Sequence, residues 1–401
     1  MMTSATSVRL ACLGMLAAVA GSRADISPLS IHPEGLGVGI SGYSARERGM
    51  GEAGMASITK QGLCADNPSR SAFHDKTSFT ASFDSDMDWL QDGESSNRAS
   101  TFLIPFIGMN FQSRKLGSLG LSYQQRFHRN FDFTPSLPQN PNTVQSFSAE
   151  GGLYEMTASW AYAPISRVAL GLGFHFLLGQ ERFIQSTQFL GTPDNPQLGN
   201  GEDLIGDTLS VRSNAWFPSL SLTVRGKRFS AAAMGTLGTA LEQKTRRSIS
   251  SLGSDRNLKG EKDIPWTGLV GLAYKPKSNQ TIVADFSLEA WEGPPLVNPA
   301  YRAGLGYEFQ GMGGPFDSYA RKIAYRGGVG VERLYLEEVD EYWLTLGSGM
   351  PLGRRGNLLD LALKYGHRGS VKNNLWTEDF IRLSVSLTGV GIWGQPVRKR
   401  R

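Results

Sequence analysis

From about residue 77 onward the chain alternates apolar and polar residues with a period of two, the signature of strands whose two faces meet different surroundings. Ile381, Leu383, Val385 and Leu387 fall on one face, while Arg382, Ser384, Ser386 and Thr388 fall on the other. Val168, Leu170, Leu172, Phe174 and Phe176 likewise oppose Ala169, Gly171, Gly173 and His175. Read throughout, the pattern predicts strands near 77–84, 99–112, 117–128, 152–162, 166–180, 208–224, 227–241, 265–275, 279–290, 300–309, 322–334, 341–351, 356–367 and 377–389. That makes about fourteen, many long enough to cross hydrocarbon at a tilt.

The connections separate a membrane barrel from a soluble sandwich. Long polar links (85–98, 129–151, 181–207, 242–264, 368–376) alternate with tight ones at Ser113 to Leu116, Ala163 to Ile165, Arg225-Gly226, Pro276 to Ser278 and Leu352 to Arg355. An up-and-down meander with long loops outside and short turns on the periplasmic side has this rhythm, which breaks only around 310–340. The expected fold is all-β: a 14-stranded antiparallel transmembrane β-barrel over 77–393, its lumen charges forming a hydrated, paired network. Aromatics near strand ends (Phe79, Phe83, Trp160, Tyr162, Trp216, Trp266, Tyr274, Trp291, Trp343, Tyr365, Trp393) are read as interfacial girdles.

At the N-terminus, Arg9, the apolar run Leu10 to Ala20 and Ser22-Arg23-Ala24 read as a signal peptide over 1–24, with cleavage after Ala24. Export and the alternation together place the chain in the outer membrane, in contact with its lipid. Cleavage leaves Cys64 as the sole cysteine, read as a small buried residue, so no disulfide can form within the mature chain.

The 401 residues are 40% hydrophobic and 19% charged, and the net charge of +5 falls to about +3 without Arg9 and Arg23. Nucleic acid is therefore not an expected partner, and the basic tail 394–401 is read as solvated. Gly37-Val38-Gly39-Ile40-Ser41-Gly42 matches a dinucleotide fingerprint but follows no strand, so no cofactor is expected. The five histidines (His32, His74, His128, His175, His367) lack ligand spacing, so neither is a metal. Asp285 and Glu289 share a face about 13 Å apart, too far for a carboxylate pair, and no catalytic residue is assigned. The expected protein is not an enzyme. Candidate lumen-lining residues are His175, Asp285, Glu289, Glu332, Asp360, Lys364 and Arg382.

The 48 glycines include several on polar strand faces (Gly120, Gly171, Gly173, Gly304, Gly306, Gly328, Gly330), where a missing side chain lets backbone or ligand approach. Residues 25–76 precede the first strand and carry Ala45-Arg46, Gly49-Met50-Gly51, Ala53 and Asn67-Pro68. This stretch resembles the N-terminal signature of the FadL-type transporters of long-chain fatty acids and of their PorV-like relatives. The resemblance extends more weakly to Ala284-Asp285-Phe286, to Leu346 through Leu352, and to Asp360 through Gly369. It implies that 25–76 forms a hatch inside the barrel, and that the barrel passes hydrophobic small molecules such as long-chain fatty acids. The PorV-like branch implies instead a shuttle or partner for exported proteins in secretion; a structural porin is the third reading. Two departures stand out: Ser69 follows Asn67-Pro68 where alanine is usual, and the chain continues past Trp393.

Overall fold

The structure is a computed structural model that describes residues 27–31, 35–59, 62–91, 96–113, 115–134, 143–189, 204–249, 254–292, 297–314, 317–336, 339–353, 356–374 and 376–391. The signal segment, Trp393 and the basic tail lie outside the described residues.

Seventeen hydrogen-bonded segments form one antiparallel sheet that closes on itself. One is a two-residue strand of the N-terminal segment, and two staves are each broken in two, leaving fourteen staves. They are β1 Thr77–Gln91, β2 Ser96–Ser113, β3 Gly117–Phe133, β4 Thr143–Ile165, β5 Val168–Phe189, β6 Leu204–Arg225, β7 Phe229–Thr236 with Thr239–Ile249, and β8 Ser254–Ile264 with Thr267–Tyr274. Then follow β9 Gln280–Glu289, β10 Ala300–Phe309, β11 Ala324–Arg333, β12 Asp340–Leu352, β13 Asn357–Ser370 and β14 Trp376–Gly391, which pairs with β1. Each expected strand corresponds to one stave.

The staves run further than the alternation showed. β4 and β5 continue as a paired hairpin through residues 143–151 and 181–189. Most of the expected long links 129–151, 181–207 and 242–264 are therefore ladder and not loop. Beyond the lipid both faces meet water, so pairing persists while the apolar face that betrays a strand disappears. The lapse near 310–340 is a structured turn: a single 3-10 turn, Tyr319–Lys322, sits between β10 and β11.

Sheet parity sorts the side chains. On β5, Leu170, Leu172, Phe174, Phe176 and Leu178 point outward and are 43 to 53% exposed, while Ala169 and His175 between them are buried. Such a continuous apolar ring has no place in water but matches hydrocarbon. Two aromatics expected in the girdles are instead inside. Trp291 and Trp343 are each only 4% exposed. Trp343 shares its face with Glu341 and Thr345, so strand parity overrides its position near a strand end.

The closed sheet has two interruptions. β2 pairs with β3 only from Phe106↔Gln124 to Ser113↔Gly117, which leaves residues 96–105 of β2 without a β3 partner. Pro105, which has no N–H to donate, stands where the ladder stops. The freed edge of β3 instead takes the N-terminal segment, Val38 pairing with His128 and Gly39 with Phe127. The second interruption spans β6 to β8: residues 215–218 of β6 lack β7 partners, and the segments of β7 and β8 part at Leu237-Gly238 and Pro265-Trp266.

Candidate functional site

The described residues between 27 and 76 run through the lumen and are held there in two different ways. The lower part, Ala45 to Ser71, enters a slot made by the absence of side chains. A Cβ on Gly306 would stand 2.2 Å from Met50 O, one on Gly328 2.2 Å from Gly51 N, and one on Gly304 2.5 Å from Gly51 O. Gly51 itself has φ +70°, and its own Cβ would stand 2.6 Å from both Leu305 O and Val329 O. Only glycine serves at both surfaces of this contact. Gly171 does the same for Ser69, whose N lies 2.5 Å from the position of its missing Cβ.

Around the slot, polar groups of the wall meet the backbone and charges of the segment. Asp285 accepts from the N–H groups of Gly54 (2.6 Å) and Met55 (2.8 Å), and Thr345 Oγ1 accepts from Gly51 N at 2.8 Å. Trp343 Nε1 donates to Gly51 O at 3.2 Å. Arg46 reaches Glu308 through Nε and Nη2, Glu308 in turn accepts from Arg326 at 2.7 Å, and Arg326 holds Asp360 at 2.7 Å. Arg48 pairs with Asp84 at 2.9 Å. Glu52 lies 3.4 Å from Lys364, which pairs with Glu341 at 2.9 Å. Burial alone would raise the Glu52 carboxyl, yet Lys364, Arg48, Arg302 and Arg382 hold it down to about 2. Glu47, whose burial also opposes ionisation, is kept below the usual range by Arg70 and Arg46.

The Asn-Pro turn is tied in the same manner. Asn67 Nδ2 donates to Met55 O (2.8 Å) and Thr223 Oγ1 (2.9 Å), and Pro68 opens the 3-10 turn Pro68–Phe73. Ser69 is no passive replacement for alanine: its hydroxyl donates to Asn67 Oδ1 at 2.6 Å. Cys64 is buried and free, and burial pushes its thiol up to about 12.

The upper part, residues 27–40, carries no ion pair among the described residues. Leu29, Leu36 and Val38 join an apolar cluster with Phe127, Phe217, Trp291, Tyr335 and Leu336. Its polar ties are single hydrogen bonds: Arg129 donates to Ser30 O (2.6 Å) and Gly35 O (2.5 Å), Ser27 Oγ donates to Glu378 (2.9 Å) and Leu36 N to Tyr335 Oη (2.7 Å). The glycine-rich stretch from Gly37 makes close contact with β3, where a Cβ on Gly37 would stand 2.3 Å from His128 O.

Between the two parts lies a cavity that is continuous with solvent. Its lining is apolar along β6–β8 (Phe217, Met234, Ile264, Leu269) and charged along β10–β14 (Arg302, Glu332, Lys364, Arg382), with Arg126 and Phe127 side by side on β3. Of the expected lumen residues, His175, Glu289, Glu332, Lys364 and Arg382 line it. Asp285 and Asp360 do not; they serve the attachment of the segment. His175 is locked between Glu155 (2.8 Å) and Ser219 (2.7 Å), and Arg382 forks onto Asp86 with two contacts of 2.7 Å. Arg126 is held loosely, 3.6 Å from Glu155 and 3.7 Å from Glu289.

Glu308, Arg326, Asp84, Glu341 and Arg126 were not singled out in the sequence. Glu308 was legible in principle, because it continues the face of Gly304 and Gly306. Among the described residues, no group of three His, Cys, Asp or Glu is placed to hold a metal.

A family model described as BamG matches residues 2–398. Solved structures with the same architecture include a FadL homologue of Pseudomonas aeruginosa, with TM-score 0.65, 12% identity, and 88% of this chain and 99% of that one covered. The toluene transporter TbuX of Ralstonia pickettii gives TM-score 0.60 at 14% identity, covering 88% and 99%. The toluene transporter TodX of Pseudomonas putida gives TM-score 0.60 at 16% identity, covering 88% and 99%. At these identities the likeness establishes the fold, and the expected FadL-type barrel is the one observed. No curated protein matches.

Proposed function

We propose, from the premise that the chain belongs to the BamG family, that it is a non-enzymatic outer-membrane channel for hydrophobic small molecules, long-chain fatty acids among them. The observation that carries this reading is the cavity beside the β2–β3 gap, apolar on one wall and charged on the other. A backbone left unpaired at membrane depth is tolerated only where it meets a cavity or other protein. The N-terminal segment fills this gap by pairing Val38 and Gly39 with β3, so its release would give the cavity a lateral outlet that needs no catalytic group and no passage through the hatch slot. Ligands of solved structures with this fold include toluene, as their names state. In this reading the upper hatch segment, residues 27–31 and 35–40, is the gate, since apolar packing and a few hydrogen bonds, those to Arg129 and Glu378 the strongest, release it at lower cost than the ion-paired lower part. The lower hatch stays latched and closes the lumen to free diffusion.

A second reading has its own observation. The ion-paired lower hatch makes a sealed barrel, and the β4–β5 and β6–β7–β8 hairpins stand well beyond the lipid as a surface for an exported protein. Saturable binding of radiolabelled dodecanoate to lipid-extracted protein, with uptake lost on gene deletion, supports the channel. Absence of both, with an exported protein co-purifying, overturns it in favour of the partner role.

A further inference from the structure

We infer that the second wall interruption is a window through which an acyl chain of the outer leaflet occupies a pocket inside the barrel. On β6, Ala215 to Pro218 make no ladder bonds to β7, and Leu237-Gly238 and Pro265-Trp266 break β7 and β8 beside them. Proline supplies part of the cause, as Pro218 and Pro265 have no N–H to give the ladder. One cross-wall hydrogen bond remains, Leu237 N to Pro218 O at 3.3 Å.

The window's height is marked by its outward side chains. Trp216 is 65% and Trp266 50% exposed, indoles of the kind that settle at a membrane interface. Directly below Trp216 on β6 the outward residues are Leu220, Leu222 and Val224, and directly above it Asn214 and Arg212. The break thus lies where the outer leaflet's chains meet its headgroups.

Directly inside is a narrow recess of the main cavity, bounded by Leu153, Leu177, Phe217, Ile264, Pro265 and Trp291, of which Phe217, Ile264 and Pro265 also line that cavity. Its inner end carries Arg126, Glu155 and Glu289. Unpaired backbone facing lipid alone would cost several kcal/mol per group, so an irregular wall at this depth requires a cavity behind it. The apolar lining suits a hydrocarbon chain, and the interfacial window leaves a headgroup outside. The window is distinct from the β2–β3 gap, although the recess behind it opens on the same cavity, and it stands whether or not the protein transports anything.

Photo-cross-linking tests it. The full-length protein carries p-benzoylphenylalanine at Phe217, or in a second variant at Ile264, and is reconstituted into dioleoylphosphatidylcholine vesicles. Leu220, on the lipid face, carries it as the positive reference. Irradiation is expected to give an adduct with the mass of the phospholipid at Phe217 or Ile264. Stapling the window by Pro218→Cys with Leu237→Cys is expected to lower that adduct at least fivefold, with the Leu220 adduct unchanged. An adduct at Leu220 alone, or one at Phe217 that persists after stapling, overturns the window. Proteins in all arms must keep the heat-modifiable gel shift of a folded barrel.

Discussion

Arg46 Nη2 lies 2.9 Å from Glu308 Oε1, the two residues 262 positions apart in the chain and both nearly buried. That pair joins hatch to wall, and Glu308 also anchors Arg326 at 2.7 Å. Removing one member of a buried pair leaves a charge without compensation, typically at a cost of about 3 to 5 kcal/mol. Glu308→Ala is expected to undock the lower hatch by roughly that amount while the barrel persists. The check is alkylation of Cys64, the only thiol beyond the signal segment: slow in the parent protein and much faster in the variant, with an unchanged gel shift.

The glycine slot makes a sharper prediction because the chain contains its own control. Gly51 and Gly353 have φ of +70° and +69°, but a Cβ on Gly353 meets nothing within 4 Å. Gly353→Ala should therefore report backbone strain alone, about 1 to 2 kcal/mol. Gly51→Ala adds collisions with Leu305 O and Val329 O and is expected to cost substantially more, read as the difference in thermal midpoint and in Cys64 labelling.

Acid should loosen the hatch. Burial, aided by Arg70, holds His74 down to about 3 from an ordinary 6.5. Glu52 stands at about 2 against an ordinary 4.5. Both groups bind protons more readily once the hatch is released, so docking is strongest above pH 6.5 and is lost as pH falls, first through His74 and then, below 4.5, through Glu52 as well. At pH 5 His74 alone removes about 2 kcal/mol. Labelling of Cys64 by 4,4′-dithiodipyridine, which reacts with thiols in acid, should accelerate between pH 7 and 5, and His74→Asn should flatten that rise. A rate independent of pH contradicts the assignment.

Arg126 offers a test of ligand head chemistry. Its guanidinium faces the cavity and, among the described residues, is held by contacts of 3.6 and 3.7 Å, leaving donors for a carboxylate. Arg126→Ala is expected to weaken dodecanoate binding about tenfold, the scale of one charge-assisted hydrogen bond, and to leave toluene binding unchanged. Equal losses for both ligands would assign Arg126 a structural role.

Much of this molecule is written in two-residue alternation, because lipid outside and water or hatch inside impose different faces on every stave. The lumen glycines were legible for the same reason: Gly304, Gly306 and Gly328 interrupt polar faces where nothing but close approach explains them. What alternation cannot carry is pairing at a distance. Nothing local in Arg46 indicates Glu308, nor in Glu52 indicates Lys364. Water on both sides erases the pattern at the hairpin ends of β4 and β5, and parity, not nearness to a strand end, turns Trp343 inward. Pro105 was a visible signal for the β2–β3 gap, since a proline inside a strand implies an edge.

The central claim is that ligand leaves the cavity sideways while the lower hatch stays docked. Ala45 N donates to Ser386 Oγ at 2.7 Å, so Ala45→Cys with Ser386→Cys can lock the lower hatch to β14. The decisive measurement is dodecanoate uptake by this variant in proteoliposomes, oxidised against reduced. Equal uptake in both forms is the predicted result; uptake present when reduced and abolished when oxidised, or absent from both, contradicts the account.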